Sequence, residues 1–339
     1  MRALRTLVLV HEDLVPPDDP PRAGLETAEW KMEYDVITTL RELGHEVQPL
    51  GVRSDLRVIR KAVEEHKPHI AVNLLEEFDG IAVYDQNVVS YLELLRVPYT
   101  GCNPRGLMLS RDKGLSKKIL AYHRIRCPDF AVLPLGRKVK RRAALAFPLI
   151  VKSLSEDASL GISQASVVDS DDKLAERVAF MHERVGTAAI AEQYIEGREL
   201  YVGVLGNRQL TVFPVWELRM DRLAEDAKPI ATERVKWSRK YQKKYRITWG
   251  EARLEADLAA RLQALAKRVY RILGLSGYAR IDFRLDAEER IWVLEANPNP
   301  DIGYGAELPE SAEKAGLSYE TLLQRILSLG LRWRHDLHL

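Results

Sequence analysis

Two alternating apolar–polar segments near the end of the chain constrain it most. Residues 279–285 read Ala-Arg-Ile-Asp-Phe-Arg-Leu, and residues 291–297 read Ile-Trp-Val-Leu-Glu-Ala-Asn. The short polar stretch from Asp286 to Arg290 joins them, so the pair reads as a β-hairpin. Strand side chains alternate between faces. Arg280, Asp282 and Arg284 therefore share one face, and Glu295 and Asn297 share one face of the second strand. If Ile281, Phe283, Trp292 and Leu294 mark the core side, the polar faces coincide. Two carboxylates, an amide and an arginine then meet on one surface. Hard oxygen donors of this kind suit Mg²⁺, or Mn²⁺, completed by phosphates and water. The alternative is a solvated surface hairpin. The prolines Pro298 and Pro300 favour a built site, because they fix the exit of the chain.

The first hundred residues alternate strand and helix patterns. Strands are expected at 4–10, 45–50 and 70–75, and helices at 26–43, 55–66 and 83–95. This alternation predicts a parallel sheet covered by helices. No Gly-x-Gly-x-x-Gly follows a strand, which argues against a dinucleotide site. Further on, helices are expected at 112–122, 171–184 and 254–273, and strands at 199–205 and 210–217. A strand also ends at Lys152, and a long polar stretch runs from 220 to 250. The expected division is 1–103, 104–195 and 196–339, with an α/β first part and an α+β remainder.

At 339 residues the chain can hold several cores. Its 51 Lys+Arg against 49 Asp+Glu leave a net charge of +2, without the excess typical of nucleic-acid partners. The expectation is therefore no nucleic acid. Cys102 and Cys127 give neither a metal spacing nor a disulfide framework. No apolar run is long enough to span a bilayer, so a cytoplasmic location and no membrane partner are expected.

Lys113 and Lys152 are candidates for phosphate contacts, since an ammonium is a compact point charge. Lys152 ends an apolar strand, where it either meets an anion or snorkels to solvent. The segment 153–162 contains Gly161 among serines and acids; it reads as a surface loop or a phosphate cover.

The hairpin, with Arg280-Ile281-Asp282, Glu295-Ala296-Asn297 and Asn299-Pro300, resembles the metal-binding end of the ATP-grasp superfamily, in its D-alanine–D-alanine ligase branch. Val97-Pro98-Tyr99-Thr100-Gly101, Arg111-Asp112-Lys113, residues 147–152 ending in Lys152, and residues 315–326 resemble further parts of that branch, over roughly 70–330. The resemblance implies a Rossmann-like domain followed by a two-lobed ATP-grasp fold. It also implies an ATP-dependent, ADP-forming carboxylate–amine ligase that works through an acyl phosphate. ATP and a small amino-acid or peptide substrate would be its partners, and a homodimer is compatible with it. Lys113, Lys152 and Lys236 would meet the phosphates; Asp282, Glu295 and Asn297 would hold the metal. Glu192, Tyr194 and Ile195 fall on the hinge strand beside adenine, and Glu199 at the ribose position. Arg280 would stabilise the acyl phosphate and the tetrahedral oxyanion, and Lys236 would act from a mobile loop over the γ-phosphate. Glu12, Asp301 and Glu307 fall on the substrate side. The family's substrate-contacting serine aligns with Ala158, and its acceptor-side Gly and Ser-Leu pair with Asp301, Ala306 and Glu307. The added carboxylates predict an acceptor other than free D-alanine. Two alternatives are an enzyme modifying a peptide or protein, and a nucleotide-binding regulator without ligase activity.

Overall fold

The computed structural model describes residues 2–20, 24–156, 159–223 and 227–333. Ala158 lies outside them.

The chain opens with β1 (Arg5–His11), α1 (Lys31–Glu42), β2 (Glu46–Val52), α2 (Leu56–His66), β3 (Ile70–Asn73) and α3 (Asp85–Leu94). The strands form a parallel sheet in the order β2-β1-β3, as the alternation predicts. Two helices start later than their periodicity suggests. Residues Leu25–Thr27 and Ala82–Tyr84 form separate 3₁₀ turns ahead of α1 and α3. Asp55 caps α2 by accepting the amide of Arg57.

Next come α4 (Pro104–Arg111), α5 (Lys113–Tyr122), β4 (Phe130–Leu133), β5 (Leu149–Ser153), β6 (Val167–Val168), α6 (Asp171–Phe180) and β7 (Ala189–Gln193). Asn103 caps α4, with Pro104 at its first position, and Asp112 caps α5. The strands make an antiparallel sheet in the order β4-β7-β5-β6. The helix expected to reach 184 changes to a π-helical turn at Met181–Val185 and stops at Gly186, whose φ is +77°.

The remainder holds β8 (Arg198–Leu205), β9 (Thr211–Met220), α7 (Glu233–Trp237), α8 (Arg239–Tyr245), β10 (Ile247–Glu251), α9 (Ala256–Ile272), β11 (Tyr278–Leu285), β12 (Ile291–Pro298), α10 (Glu307–Lys314) and α11 (Tyr319–Leu331). Its five strands are ordered β10-β9-β8-β11-β12. The polar stretch 220–250 is thus not featureless: it supplies two short helices and an edge strand paired with β9.

One face of this sheet is apolar. Leu200, Val202, Ile281 and Phe283 pack with Leu262, Ala266 and Val269 of α9. The sheet's far corner joins a second core with the first sheet, in which Val8, Ile70, Tyr278, Leu308 and Leu327 share one cluster. The last helix therefore closes the first sheet. The crossing from first to second part is tight at Gly101, where φ is +93° and a Cβ would lie 2.5 Å from Asn299 Oδ1. That oxygen instead accepts the amide of Cys102 at 2.7 Å. Among the described residues no helix is long and apolar enough to cross a membrane.

Candidate active site

The polar face of the five-stranded sheet gathers the expected hairpin residues. Across β11 and β12, Arg280 stands opposite Asn297 and Asp282 opposite Glu295. The register then shifts between Asp282 and Phe283, leaving Leu294 as the extra residue of a β-bulge. This corrects the expected core set. Val293, not Leu294, pairs with Phe283 and is buried, while Trp292 stands beside Arg284 on the polar side. Trp292 Nε1 donates to Asp286 Oδ2 at 2.9 Å and anchors the turn.

Asn297 Nδ2 donates to Asp282 Oδ2 at 2.9 Å and lies 3.5 Å from Glu295 Oε1. Arg280 donates to both oxygens of Asp282, Nε at 2.8 Å and Nη2 at 3.0 Å. Its guanidinium stacks over the ring of Tyr201, 4.8 Å from the centroid. The two carboxylates feel opposite fields. Burial pushes Asp282 up to about 6, and Arg280 only partly offsets it. Burial also acts to raise Glu295, but Lys113, Lys152, Lys236 and Arg280 outweigh it and hold that group at about 2.

The lysines arrive from three elements. Lys113 opens α5, donates to the carbonyl of Glu156 at 2.7 Å and stands 3.9 Å from Glu295. Lys152 on β5 pairs with Glu192 on β7 at 3.3 Å. Lys236 sits on α7, at the boundary between two cavities. The sequence reading missed Lys117. One turn after Lys113, it is fully buried, donates to the carbonyl of Leu294 at 2.6 Å and stands 3.4 Å from Glu192. Burial would raise the Glu192 carboxyl, yet Lys117 and Lys152 keep it below its ordinary value. The side chain of Glu192 is thus committed to two lysines. The i, i+4 spacing of Lys113 and Lys117 was the available signal.

The first cavity contains Lys113, Lys152, Lys236 and Glu295 at one end and Tyr194, Ile195 and Glu199 at the other, with Ile150, Ile230 and Leu294 as apolar walls. Glu199 accepts Tyr201 Oη at 2.8 Å and Arg284 Nη2 at 2.7 Å. Arg284, a second omission, also ties the carbonyls of Gly197 and Pro229, both at 2.7 Å. Glu196, the near neighbour of Glu199, is exposed.

A second cavity adjoins the first across Lys236. Arg280, Asn297, Asp301 and Glu307 line it, together with Glu76, Arg111, Trp237, Trp249 and Glu310. Asp301 accepts the amide of Gly303 at 2.7 Å, and Glu307 lies 3.5 Å from Arg280. Glu12 is not brought there: it sits in the turn after β1, exposed and 2.5 Å from Arg53.

No group of three or more His, Cys, Asp or Glu disposed to hold a metal ion occurs among the described residues. The hairpin offers two carboxylates and one amide on a single face. That donor set fits a hard divalent cation whose remaining ligands are phosphate oxygens and water.

Comparison with known proteins places the chain in a family. A family model for the D-ala D-ala ligase C-terminus matches residues 115–328. A D-alanine–D-alanine ligase of Bordetella petrii is 35% identical over 251 residues, covering 72% of this chain and 71% of that protein. The uncharacterized protein y4sG of Sinorhizobium fredii is 30% identical over 304 residues, covering 88% and 86%. The crystal structure of the D-alanine–D-alanine ligase from Bacillus anthracis complexed with ATP superposes with a TM-score of 0.75 at 25% identity, over 97% of this chain and 98% of that one. Sequence family, relatives and fold agree, and the chain belongs to the D-alanine–D-alanine ligase family of ATP-grasp enzymes.

Proposed function

We propose that this chain joins a substrate carboxylate to an amine at the expense of ATP, with the nucleotide in the first cavity and the amino-acid substrates in the second. The observation that carries this reading is the shared wall. Lys113, Lys152, Lys236, Asp282 and Glu295 line one cavity, while Arg280 and Asn297 of the same hairpin line the next.

In this reading Tyr194 and Ile195 present backbone groups to the adenine, and Glu199 accepts the ribose hydroxyls. Lys113, Lys152 and Lys236 neutralise phosphate charge. A carboxylate oxygen of the first substrate attacks the γ-phosphorus and ADP leaves. The amine of the second substrate attacks the resulting acyl carbon, phosphate leaves, and the amine loses a proton. Arg280 stabilises the oxyanion of that second step. A lost donor of this type costs about 3–4 kcal/mol in the barrier. Asp282, Glu295 and Asn297 would hold the divalent metal, Mg²⁺ or Mn²⁺, whose chemistry is charge neutralisation and alignment of phosphate oxygens. The protein otherwise contributes positioning and exclusion of water. Arg280, in the second cavity on the same hairpin as the proposed metal ligands, supports a ligase over a regulator that only binds nucleotide.

ADP release with D-alanine, amino acids and short peptides is expected to stop in excess chelator and to resume with Mg²⁺. Lys152→Ala should weaken ATP binding about tenfold to hundredfold, the worth of a charge-assisted contact, without unfolding the protein. Unchanged nucleotide affinity by calorimetry would remove Lys152 from the site.

A further inference from the structure

Carboxylates outnumber bases in the lining of the second cavity, with Glu76, Asp85, Asp301, Glu307 and Glu310 against Arg111, Lys236 and Arg280. Asp301, Glu307 and Glu310 line one wall and Glu76 another. Glu307 and Glu310 are three residues apart at the start of α10 and so share a face. Two of the bases at this cavity are already paired with carboxylates of its own lining. Arg111 is bound to Asp85, and Arg280 makes two short bonds to Asp282 and a longer one, at 3.5 Å, to Glu307. Lys236 stands at the boundary with the nucleotide cavity. Lys31, the cation nearest Asp301 from α1, is held by Asp35 at 2.6 Å.

Two indole rings, Trp237 and Trp249, line the same space. Aromatic faces beside carboxylates form a site for an organic cation. Glu33 of α1 lies behind this lining and feels the charge of Glu76 and Asp301. It is 2% exposed, and its Oε2 has no hydrogen-bond partner among the described residues. Burial, together with Glu76, Asp301 and Asp35, pushes its carboxyl up to about 7. Burial is the main cause of that rise, and the neighbouring carboxylates add to it.

We infer that the second cavity selects an acceptor with a second cationic group and no carboxylate beside its nucleophilic amine, such as a diamine or the amide of a basic amino acid. This rests on the ligase reading above. The rings and carboxylates hold the remote cation, leaving the free amine at the Arg280 end.

The test measures ADP release with D-alanine as donor and, as acceptor, lysinamide, 1,4-diaminobutane or D-alanine. It is repeated for Asp301→Asn and Glu310→Gln. Alongside it, lysinamide is titrated calorimetrically into protein loaded with a non-hydrolysable ATP analogue and Mg²⁺. The wild-type protein should prefer a cationic acceptor over D-alanine at least tenfold in kcat/KM, and each variant should cut that ratio several-fold through KM. D-alanine used as well or better, or a ratio that neither variant moves, overturns the inference and leaves the ligase reading standing. Lysinamide binding that both variants weaken, with no ADP release from any acceptor, upholds the cation site and refutes the ligase reading. Neither binding nor release overturns both.

Discussion

Asp282 and Glu295 face each other on one rung of the hairpin, yet their folded-state acidities diverge, about 6 against about 2. The difference lies in which cations reach each carboxylate: Asp282 has chiefly Arg280, and Glu295 has three lysines besides. A carboxyl held below its unfolded value adds stability above that value and loses it as pH falls through the folded one. Glu295→Gln should therefore destabilise the ligand-free protein at neutral pH by about 3 kcal/mol, following the shift from 4.5 to about 2. Denaturant titrations of both proteins should show this difference constant above about pH 5 and shrinking toward pH 2. A difference that grows on acidification would contradict the assigned field. Glu295, Asn297, Lys113 and Lys152 were legible because local spacing and strand parity disclose them. Lys117 and Arg284 were not, because their meaning depends on distant partners. Arg284 acquires its role only when β8 pairs with β11 and sets Glu199 opposite it, and Lys117 only when β7 brings Glu192 beneath α5.

Among elements, α5 brings Lys113 to the first cavity and sets Lys117 beside Glu192 in its lining. Its first residue is Lys113, its second turn holds Lys117, and its cap is Asp112, whose carboxylate accepts the amide of Leu115 at 2.8 Å. Asp112→Ala should cost about 1 kcal/mol of stability, the usual worth of such a cap. Because fraying begins at Lys113, the same variant should raise the KM for ATP while leaving acceptor KM unchanged. Thermal melts and steady-state kinetics check the two effects separately; an intact ATP KM would mean that Lys113 does not depend on the cap. The signal for this helix was strong in sequence, with an Asp cap before a periodic apolar run. The hairpin was legible as an element but not in its detail. A one-residue bulge reverses the parity of residues 291–294 relative to Glu295. Alternation alone cannot register such an insertion, since it assumes an unbroken period of two. The stretch 220–250 failed for another reason: α7 and α8 are short helices. Val235, Tyr241 and Tyr245 take their burial from Trp216, Trp249 and the edge of the sheet, so tertiary contacts rather than local periodicity define them.

At the scale of the whole molecule, sequence order and packing order differ. The first hundred residues read as a unit of their own, a parallel sheet with helices. Yet the last helix supplies Leu322, Leu323, Ile326 and Leu327 to the same core as Val8, Val36 and Ile70, and Gly330 lets the backbone of Tyr99 approach closely. Leu205, Phe213 and Tyr278 of the five-stranded sheet extend that core. The first part is thus closed by the last, and the segment after β12 that bears Asn299 and Asp301 is tied to the first part through Cys102 and, at Tyr304, through Asp35 and Lys31 of α1. A chain beginning at residue 104 would leave the apolar face of α11 and the side chains of Leu308 and Ala312 without their partners. Exposed apolar surface on that scale promotes association rather than stable folding. The expected outcome for residues 104–339 expressed alone is retained far-UV circular dichroism, weakened near-UV signal and aggregation, with no cooperative thermal transition. A cooperative transition in a monomeric 104–339 chain would show instead that the later sheets stabilise themselves, and that the shared core contributes chiefly to positioning the second cavity.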